Sequence, residues 1–183
     1  MGDGVDIPKT KQLILYICQR MEDGPEFGST VLNKVLYYVD HVHYLRNGQT
    51  ITGMTYVKQQ AGPTPAPREF LPLRQEMIDK GWISIKEREY LGRLQKRPVA
   101  KTSPDLSVFK PWEVAVIDKI IDVFKGINAI TASEISHSEL GWQLAETMEE
   151  IPPYTYLLSE GELTEEDIAW AKEAIKEYRA SIH

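Results

Sequence analysis

The stretch STVLNKVLYYVDHVHYLR, residues 29–46, carries the clearest structural pattern of the sequence. Its apolar residues recur at helical spacing, Ser29 or Thr30 offers an N-cap, and Asn47-Gly48 follows as a stop. One face is apolar: Val31, Leu32, Val35, Leu36, Val39 and Val42. Another face carries Asn33, Tyr37, Asp40, His41 and Tyr44. Because neither face is a charged, solvated one, the pattern predicts a helix at the centre of the molecule.

Further helices are predicted on both sides of this stretch. Proline at a first-turn position marks the start of two of them, at Pro8 and Pro111. Two short helices are expected where Thr131 with Glu134, and Ser136 with Glu139, have capping-box spacing. The predicted spans are 8–22, 68–80, 111 to the residue before Gly126, about 131–149 in two pieces, and about 164–182.

Little β structure is expected. Residues 51–60 alternate loosely and predict a short strand, whereas the three prolines in Gly62–Pro67 predict a break in regular structure. Residues 82–85 and 90–100 predict a β-hairpin. The whole chain, residues 1–183, is therefore predicted to be a single, mainly α domain with a small antiparallel β element.

Composition limits the functional classes. The chain has 183 residues and a net charge of −6, so it lacks the basic footprint of most nucleic-acid-binding proteins. The charge is uneven: residues 81–101 sum to +4 and residues 131–183 to −9. Cys18 is the only cysteine and lies on an apolar stripe, so we expect a buried thiol and a cytoplasmic protein. No apolar run is long enough for a membrane span.

The histidines raise the question of catalysis. His41 and His43 point nearly opposite ways on a helix, so we expect one to be solvated and the other to be a hydrogen-bonded core residue. His137 is expected to bond across a helix junction. A small metal-dependent hydrolase built on Asp40, His41 and His137 is the weakest alternative, and we expect no metal and no cofactor.

A winged-helix regulator is a stronger alternative. Helices after residue 111, preceded by a basic hairpin, have that outline. However, the helix that would enter the DNA groove carries glutamates and no Lys or Arg, so phosphates would repel it. Nucleic acid is therefore not the expected partner.

Ordered motifs resemble one known family. Residues 32–40 (LNKVLYYVD) are similar to the Lys-Leu-Leu-Tyr-Tyr-x-Asp helix of the SocA-like Panacea antitoxin domain. Residues 48–53 (GQTITG), then Tyr56-Val57, 62–65 (GPTP), and Ser136-His137 followed by Trp142 resemble its later motifs. The resemblance covers about residues 8–150. Thr50 and Thr64 depart from the family's usual proline and small apolar residue.

The resemblance implies an antitoxin of a toxin–antitoxin pair, of the kind found in bacteria and their phages. Such a protein is not an enzyme: it neutralises a cognate toxin by direct binding, and at least one type delivers its toxin to a protease chaperone complex. We expect the partner-binding residues among this set: Asn33, Tyr37, Asp40, Tyr44, Gly62, Pro63, His137 and Trp142. We also expect the acidic segment to attract a toxin with a basic active-site region.

Overall fold

A computed structural model describes residues 4–158 of the chain. Within them the fold is mainly α with two small antiparallel sheets, as predicted. The helices are α1 Ile7–Arg20, α2 Ser29–Asn47, α3 Pro67–Asp79, α4 Pro111–Phe124, α5 Ala129–His137 and α6 Leu140–Leu144. The strands are β1 Tyr56–Gln59, β2 Gly62–Pro65, β3 Ile83–Tyr90 and β4 Arg93–Ala100. Short 3-10 turns span Leu106–Val108 and Pro153–Leu158. The helix predicted over residues 164–182 lies outside the described residues.

The helix α2 is central, as its sequence predicts. It contacts α1, α4, α5, β2, β4 and the 3-10 turn at Pro153–Leu158. Its apolar face and Tyr37 are buried in one core cluster with residues of α1 and α4. The prediction for Cys18 is also confirmed, because it is buried on α1 and burial raises the pKa of its thiol to about 12. No helix within residues 4–158 is both long and apolar enough to cross a bilayer.

Helix ends follow the predicted pattern only in part. The side chain of Asp6 caps α1 by accepting a 3.0 Å hydrogen bond from the Lys9 N–H, and Pro8 lies in the first turn. The prediction that Ser29 or Thr30 caps α2 is wrong, since Gly28 is the N-cap and no side chain caps this helix. The Ser29 hydroxyl donates instead to the Lys96 carbonyl at 3.0 Å, which ties α2 to β4.

The β1–β2 hairpin corrects two predictions. The strand expected over residues 51–60 is confined to β1, and the proline-rich stretch expected to break regular structure supplies β2. Lys58 is paired with Pro63, but its own N–H and C=O bond to Glu149 and Met148 on the opposite side, at 2.9 and 2.8 Å. The proline therefore stands at a position where β1 requires no N–H from it.

The predicted β3–β4 hairpin is present, but its bounds differ from the prediction: the first strand continues to Tyr90 instead of ending at residue 85, and the turn lies at residues 91–92, inside the predicted second strand. Its register runs from Ile83 opposite Ala100 to Tyr90 opposite Arg93, and the two-residue turn is Leu91-Gly92. Arg97 of β4 is buried and donates to the carbonyls of Gly24 and Phe27 at 2.6 and 3.2 Å. These bonds fasten the hairpin to the loop between α1 and α2.

The two predicted capping boxes after α4 are wrong. The side chain of Asn128 caps α5, accepting from the N–H groups of Ile130 and Thr131 at 3.0 and 3.1 Å. Ser136 is buried inside α5, where its hydroxyl donates to the Ser133 carbonyl at 2.9 Å. The next helix, α6, ends at Leu144 and does not reach Glu149. Asn128 is the cap in place of Thr131 because α5 begins three residues earlier than predicted, so that Asn128 is the residue directly before its first turn.

Candidate partner-binding surface

The polar face of α2 holds a buried carboxylate. The Asp40 side chain accepts from the N–H groups of Ile51 and Thr52 at 2.8 and 2.9 Å, from the Tyr56 hydroxyl at 2.8 Å, and from the Thr52 hydroxyl. Burial raises the pKa of Asp40, and its four donors act in the opposite direction because they favour the ionised form. The carboxylate thus fastens the loop of residues 48–53 and strand β1 to α2.

A buried lysine lies six residues before Asp40 on the same helix. The Lys34 side chain is inaccessible to solvent, and its Nζ donates to the Pro63 carbonyl at 2.7 Å. Burial lowers the pKa of Lys34 to about 7. Sequence reasoning missed this residue because lysine is nearly always on the surface. The signal was available, since Lys34 sits in a helix without a solvated face.

The glycine beside this lysine is required by space and by conformation. Gly62 has a φ of 101°, in the region that L side chains rarely adopt. A Cβ at this position would come within 2.2 Å of Ser136 Oγ and 2.8 Å of Lys34 Nζ. The backbone of β2 therefore packs directly on α2 and α5 at this residue.

The aromatic residues of α2 form a buried stack with the 3-10 turn at Pro153–Leu158. His41 stacks on Tyr156 with 4.1 Å between ring centroids and 6° between planes. Tyr37 meets His41, Tyr56 and Tyr156 nearly perpendicularly, at centroid distances of 5.3 to 5.6 Å. Burial lowers the pKa of His41 to about 4, so this imidazole is neutral near pH 7.

The prediction that one of His41 and His43 is solvated is wrong, because each is only 5% exposed. His43 Nδ1 lies 2.6 Å from the Gln49 carbonyl oxygen, and its Nε2 lies 4.0 Å from a Glu113 carboxylate oxygen. Both histidines were expected to differ because they point opposite ways. Packing on both faces of α2 buries them alike.

The residues of the hydrolase alternative do not form one site. Asp40 faces the loop of residues 48–53, His41 stacks on Tyr156, and His137 lies at the end of α5. Across residues 4–158, no three His, Cys, Asp or Glu side chains are grouped so that they could hold a metal ion.

Towards the surface, side chains of α5 and α6 bond to the β1–β2 turn. His137 stacks on Trp142 with 4.0 Å between centroids and 15° between planes. His137 Nε2 lies 3.2 Å from the Gln60 carbonyl oxygen, and Trp142 Nε1 donates to the Gln59 carbonyl at 3.0 Å. The Lys58 ammonium lies 4.4 Å from the Trp142 ring centroid. The prediction that His137 bonds across a helix junction is wrong, because its ring bonds instead to the β1–β2 turn and so connects α5 to that turn.

The eight residues expected to bind a partner fall into two groups. Four are buried: Tyr37, Asp40, Gly62 and Pro63. Four are half-buried: Asn33, Tyr44, His137 and Trp142. Gly62, Pro63, His137 and Trp142 belong to the β1–β2 turn and the helices that hold it, whereas Tyr44 lies farther along α2 with its ring 5.9 Å from that of Tyr156.

An open cavity of about 750 Å³ lies beside the His137–Trp142 stack. We call it the α5 cavity; it is lined by Thr30, Gln59, Gln60, Ala61, Arg93, Ala129, Ile130, Ser133, Glu134 and His137. The chain that follows is acidic, since residues 131–158 contain five Glu and no Lys or Arg. The surface thus joins a concave, partly apolar cavity to a negatively charged segment.

Comparison with protein-family models gives one match. Residues 32–143 match the model described as "Antitoxin SocA-like, Panacea domain". The match covers more than half of the chain and includes most of α2, both hairpins, α3, α4, α5 and most of α6. No curated protein and no solved structure shows significant similarity to the chain.

Proposed function

Because this chain belongs to the SocA-like Panacea antitoxin family, we propose that it neutralises a cognate toxin protein by binding it directly. The family match over residues 32–143 is the observation that carries this proposal. The described residues add a compact set of surface features suited to binding a protein. Inhibition would be steric: the antitoxin covers a surface that the toxin needs for its activity.

We place the contact at the α5 cavity and the His137–Trp142 stack. Both rings are half-buried, and each is held by a backbone carbonyl of the β1–β2 turn, so the stack is rigid before any partner arrives. A rigid aromatic group loses little conformational entropy on binding, which is why such groups contribute strongly at interfaces. The buried residues Tyr37, Asp40 and Gly62 contribute by fixing the backbone beneath this surface.

Charge would guide the encounter. Residues 131–158 contain five glutamates and no Lys or Arg; Glu150 is paired with Arg68, and Glu134 lines the α5 cavity, so the segment carries net negative charge. A toxin that acts on nucleic acid or nucleotides needs a basic active-site region, and the two fields would attract each other. We therefore propose that the antitoxin lies over, or beside, the toxin's active site, and that added salt slows their association.

Co-expression with the product of an adjacent reading frame tests the proposal. If that product alone arrests growth, this chain should restore growth and co-purify with the toxin. Toxin abundance should stay unchanged on rescue, whereas delivery to a protease would lower it. If this chain neither restores growth nor co-purifies with the toxin, the antitoxin function is contradicted. Salt-sensitive binding of the isolated chain to duplex DNA would favour the winged-helix alternative instead.

A further inference from the structure

The turn of the β3–β4 hairpin contains an unusual residue. Leu91 has a φ of 51°, and its side chain is 70% exposed. The left-handed conformation is unfavourable for an L-residue, and turns of this kind normally use Asn or Gly. An exposed leucine gains almost nothing from the fold in return. Backbone strain of this kind concentrates at functional sites.

Leu91 is part of an exposed apolar patch. Leu94 of β4 is 67% exposed and Ile130 of α5 is 50% exposed. All three line a cavity of about 400 Å³ between the hairpin and the N-terminal ends of α2 and α5. We call this the hairpin cavity. It shares Thr30, Arg93, Ala129 and Ile130 with the α5 cavity, so the two form one continuous depression.

The charge around the hairpin cavity is positive. Arg93 and Lys96 line it and are exposed, and Lys96 Nζ lies 3.9 Å from a Glu87 carboxylate oxygen. The N-terminal end of α2 also faces it, and no side chain caps that end. Among the residues described, 4–158, Glu26 is the one carboxylate on the wall; it is buried and accepts a 2.8 Å hydrogen bond from the Gly126 N–H. A negatively charged group entering the cavity would therefore meet cations and a positive helix end.

We infer that the hairpin cavity is a second docking point for the toxin, and that it receives a segment in which an apolar side chain stands beside a carboxylate. The inference rests on the proposed antitoxin function and identifies the chemistry of the partner segment. The apolar side chain packs against Leu91, Leu94 and Ile130, and the carboxylate pairs with Arg93 or Lys96. The toxin would thus meet a negative surface at residues 131–158 and a positive one at the hairpin.

Leu91→Asn separates this role from any contribution to folding. Asparagine tolerates the left-handed conformation, so the melting temperature of the variant should equal or exceed that of the wild type. Affinity for the purified toxin should fall about tenfold or more, because the apolar contact is lost. Arg93→Glu should weaken binding to a similar extent, and its effect should shrink at high salt. Leu71→Gln, at an exposed leucine of α3, and Lys119→Glu, at an exposed lysine of α4, are matched controls that should bind like the wild type.

The outcomes distinguish this inference from the proposed function. If wild-type protein neutralises the toxin while Leu91→Asn and Arg93→Glu bind it as tightly as the controls do, the docking point is wrong and the antitoxin function stands. If the wild type itself neither binds nor neutralises the toxin, the proposed function fails, and this inference fails with it. Equal weakening in the matched controls would also overturn the inference, because the effect would then not be specific to the hairpin.

Discussion

The ammonium group of Lys34 donates a 2.7 Å hydrogen bond to the carbonyl oxygen of Pro63, although the lysine is inaccessible to solvent. This bond joins the central helix to β2 at the point where Gly62 brings the two backbones together. A buried amine is costly when charged, and the structure supplies no carboxylate among its described hydrogen-bond partners. The contact should therefore respond to pH.

Stability should rise with pH because of Lys34. Its pKa is about 7 in the folded protein and near the ordinary value of 10.5 in the unfolded chain, so the unfolded chain binds more protons between these values. The free energy of unfolding then gains up to about 1.4 kcal/mol per pH unit from this group. Lys34→Met should flatten the rise between about pH 7 and pH 9. Urea unfolding of both proteins in that range checks this, and parallel pH profiles would contradict it.

His41 should make the fold sensitive to acid. Its pKa is about 4 when it is stacked on Tyr156, against an ordinary value of 6.5, so unfolding takes up a proton in that range. Stability is therefore present above pH 6.5 and declines as the pH falls towards 4. His41→Phe keeps a ring for stacking and should lose less stability on acidification. His137→Phe, at the half-buried histidine of α5, is the control, and an equal response of both variants would argue against His41 as the origin.

Gly62 should tolerate no side chain. Gly62→Ala places a Cβ against Ser136 Oγ and Lys34 Nζ and adopts an unfavourable φ, so we expect a loss of roughly 3 kcal/mol or more. Gly48→Ala is the matched control: its φ is 66°, but no atom lies within 4 Å of the added Cβ. That variant should lose only about 1 kcal/mol. Thermal unfolding of the two variants measures the difference, which should vanish if the crowding at Gly62 is unimportant.

Asp40→Asn should loosen the loop of residues 48–53. The amide has one acceptor oxygen where the carboxylate has two, so the hydroxyls of Thr52 and Tyr56 lose their common acceptor. We expect a loss of about 1–3 kcal/mol and faster hydrogen exchange at the Ile51 and Thr52 amides. Asp79→Asn, at an exposed residue, should change stability by less than about 0.5 kcal/mol. Unchanged hydrogen exchange at these two amides would show that Asp40 does not hold the loop in place.

Trp142 should matter more for neutralisation than Trp112. Trp142→Ala removes a half-buried ring of the proposed contact surface, whereas Trp112→Ala removes a ring that is 54% exposed on α4. Toxin affinity should fall about tenfold or more for the first variant and stay near the wild-type value for the second. Circular dichroism shows whether each variant is folded. Trp142→Phe keeps the stack without the Nε1 donor, so it should retain most of the affinity, and a total loss would point to a folding defect.

Periodicity predicted the elements whose local pattern agrees with their final packing. The alternation of apolar and polar faces placed α1, α2, α3 and α4 within about two residues of their observed ends. The β3–β4 hairpin was also predicted, although its turn at residues 91–92 was not. In each of these elements, residues close in sequence determine the structure.

The failures have a common physical origin. Several residues near a helix start can cap it, and the choice between Gly28 and Ser29, or between Asn128 and Thr131, depends on where the preceding chain enters. The strand β2 was missed because its prolines are acceptable only in the register that β1 imposes. The burial of Lys34 and of both histidines of α2 depends on α5, β2 and the 3-10 turn at Pro153–Leu158. None of these partners is adjacent in sequence.

The candidate site was predicted as a set of residues but not as a surface. The motif residues do gather at α2 and the β1–β2 turn, yet half of them are inside the protein. The apolar patch at Leu91, Leu94 and Ile130 could not be assembled from the sequence, since it joins a hairpin turn to a helix start almost forty residues later. Only the basic charge of the hairpin segment, residues 81–101, could be predicted from the sequence.

The prolines of β2 limit the pairing of this strand with strands of other molecules. Pro63 and Pro65 leave the outer rim of this strand without two amide donors, and Lys34 occupies the Pro63 oxygen on that rim. A foreign strand approaching there would find few groups with which to pair, so the sheet ends at two strands. This exclusion guards against edge-to-edge aggregation and domain exchange.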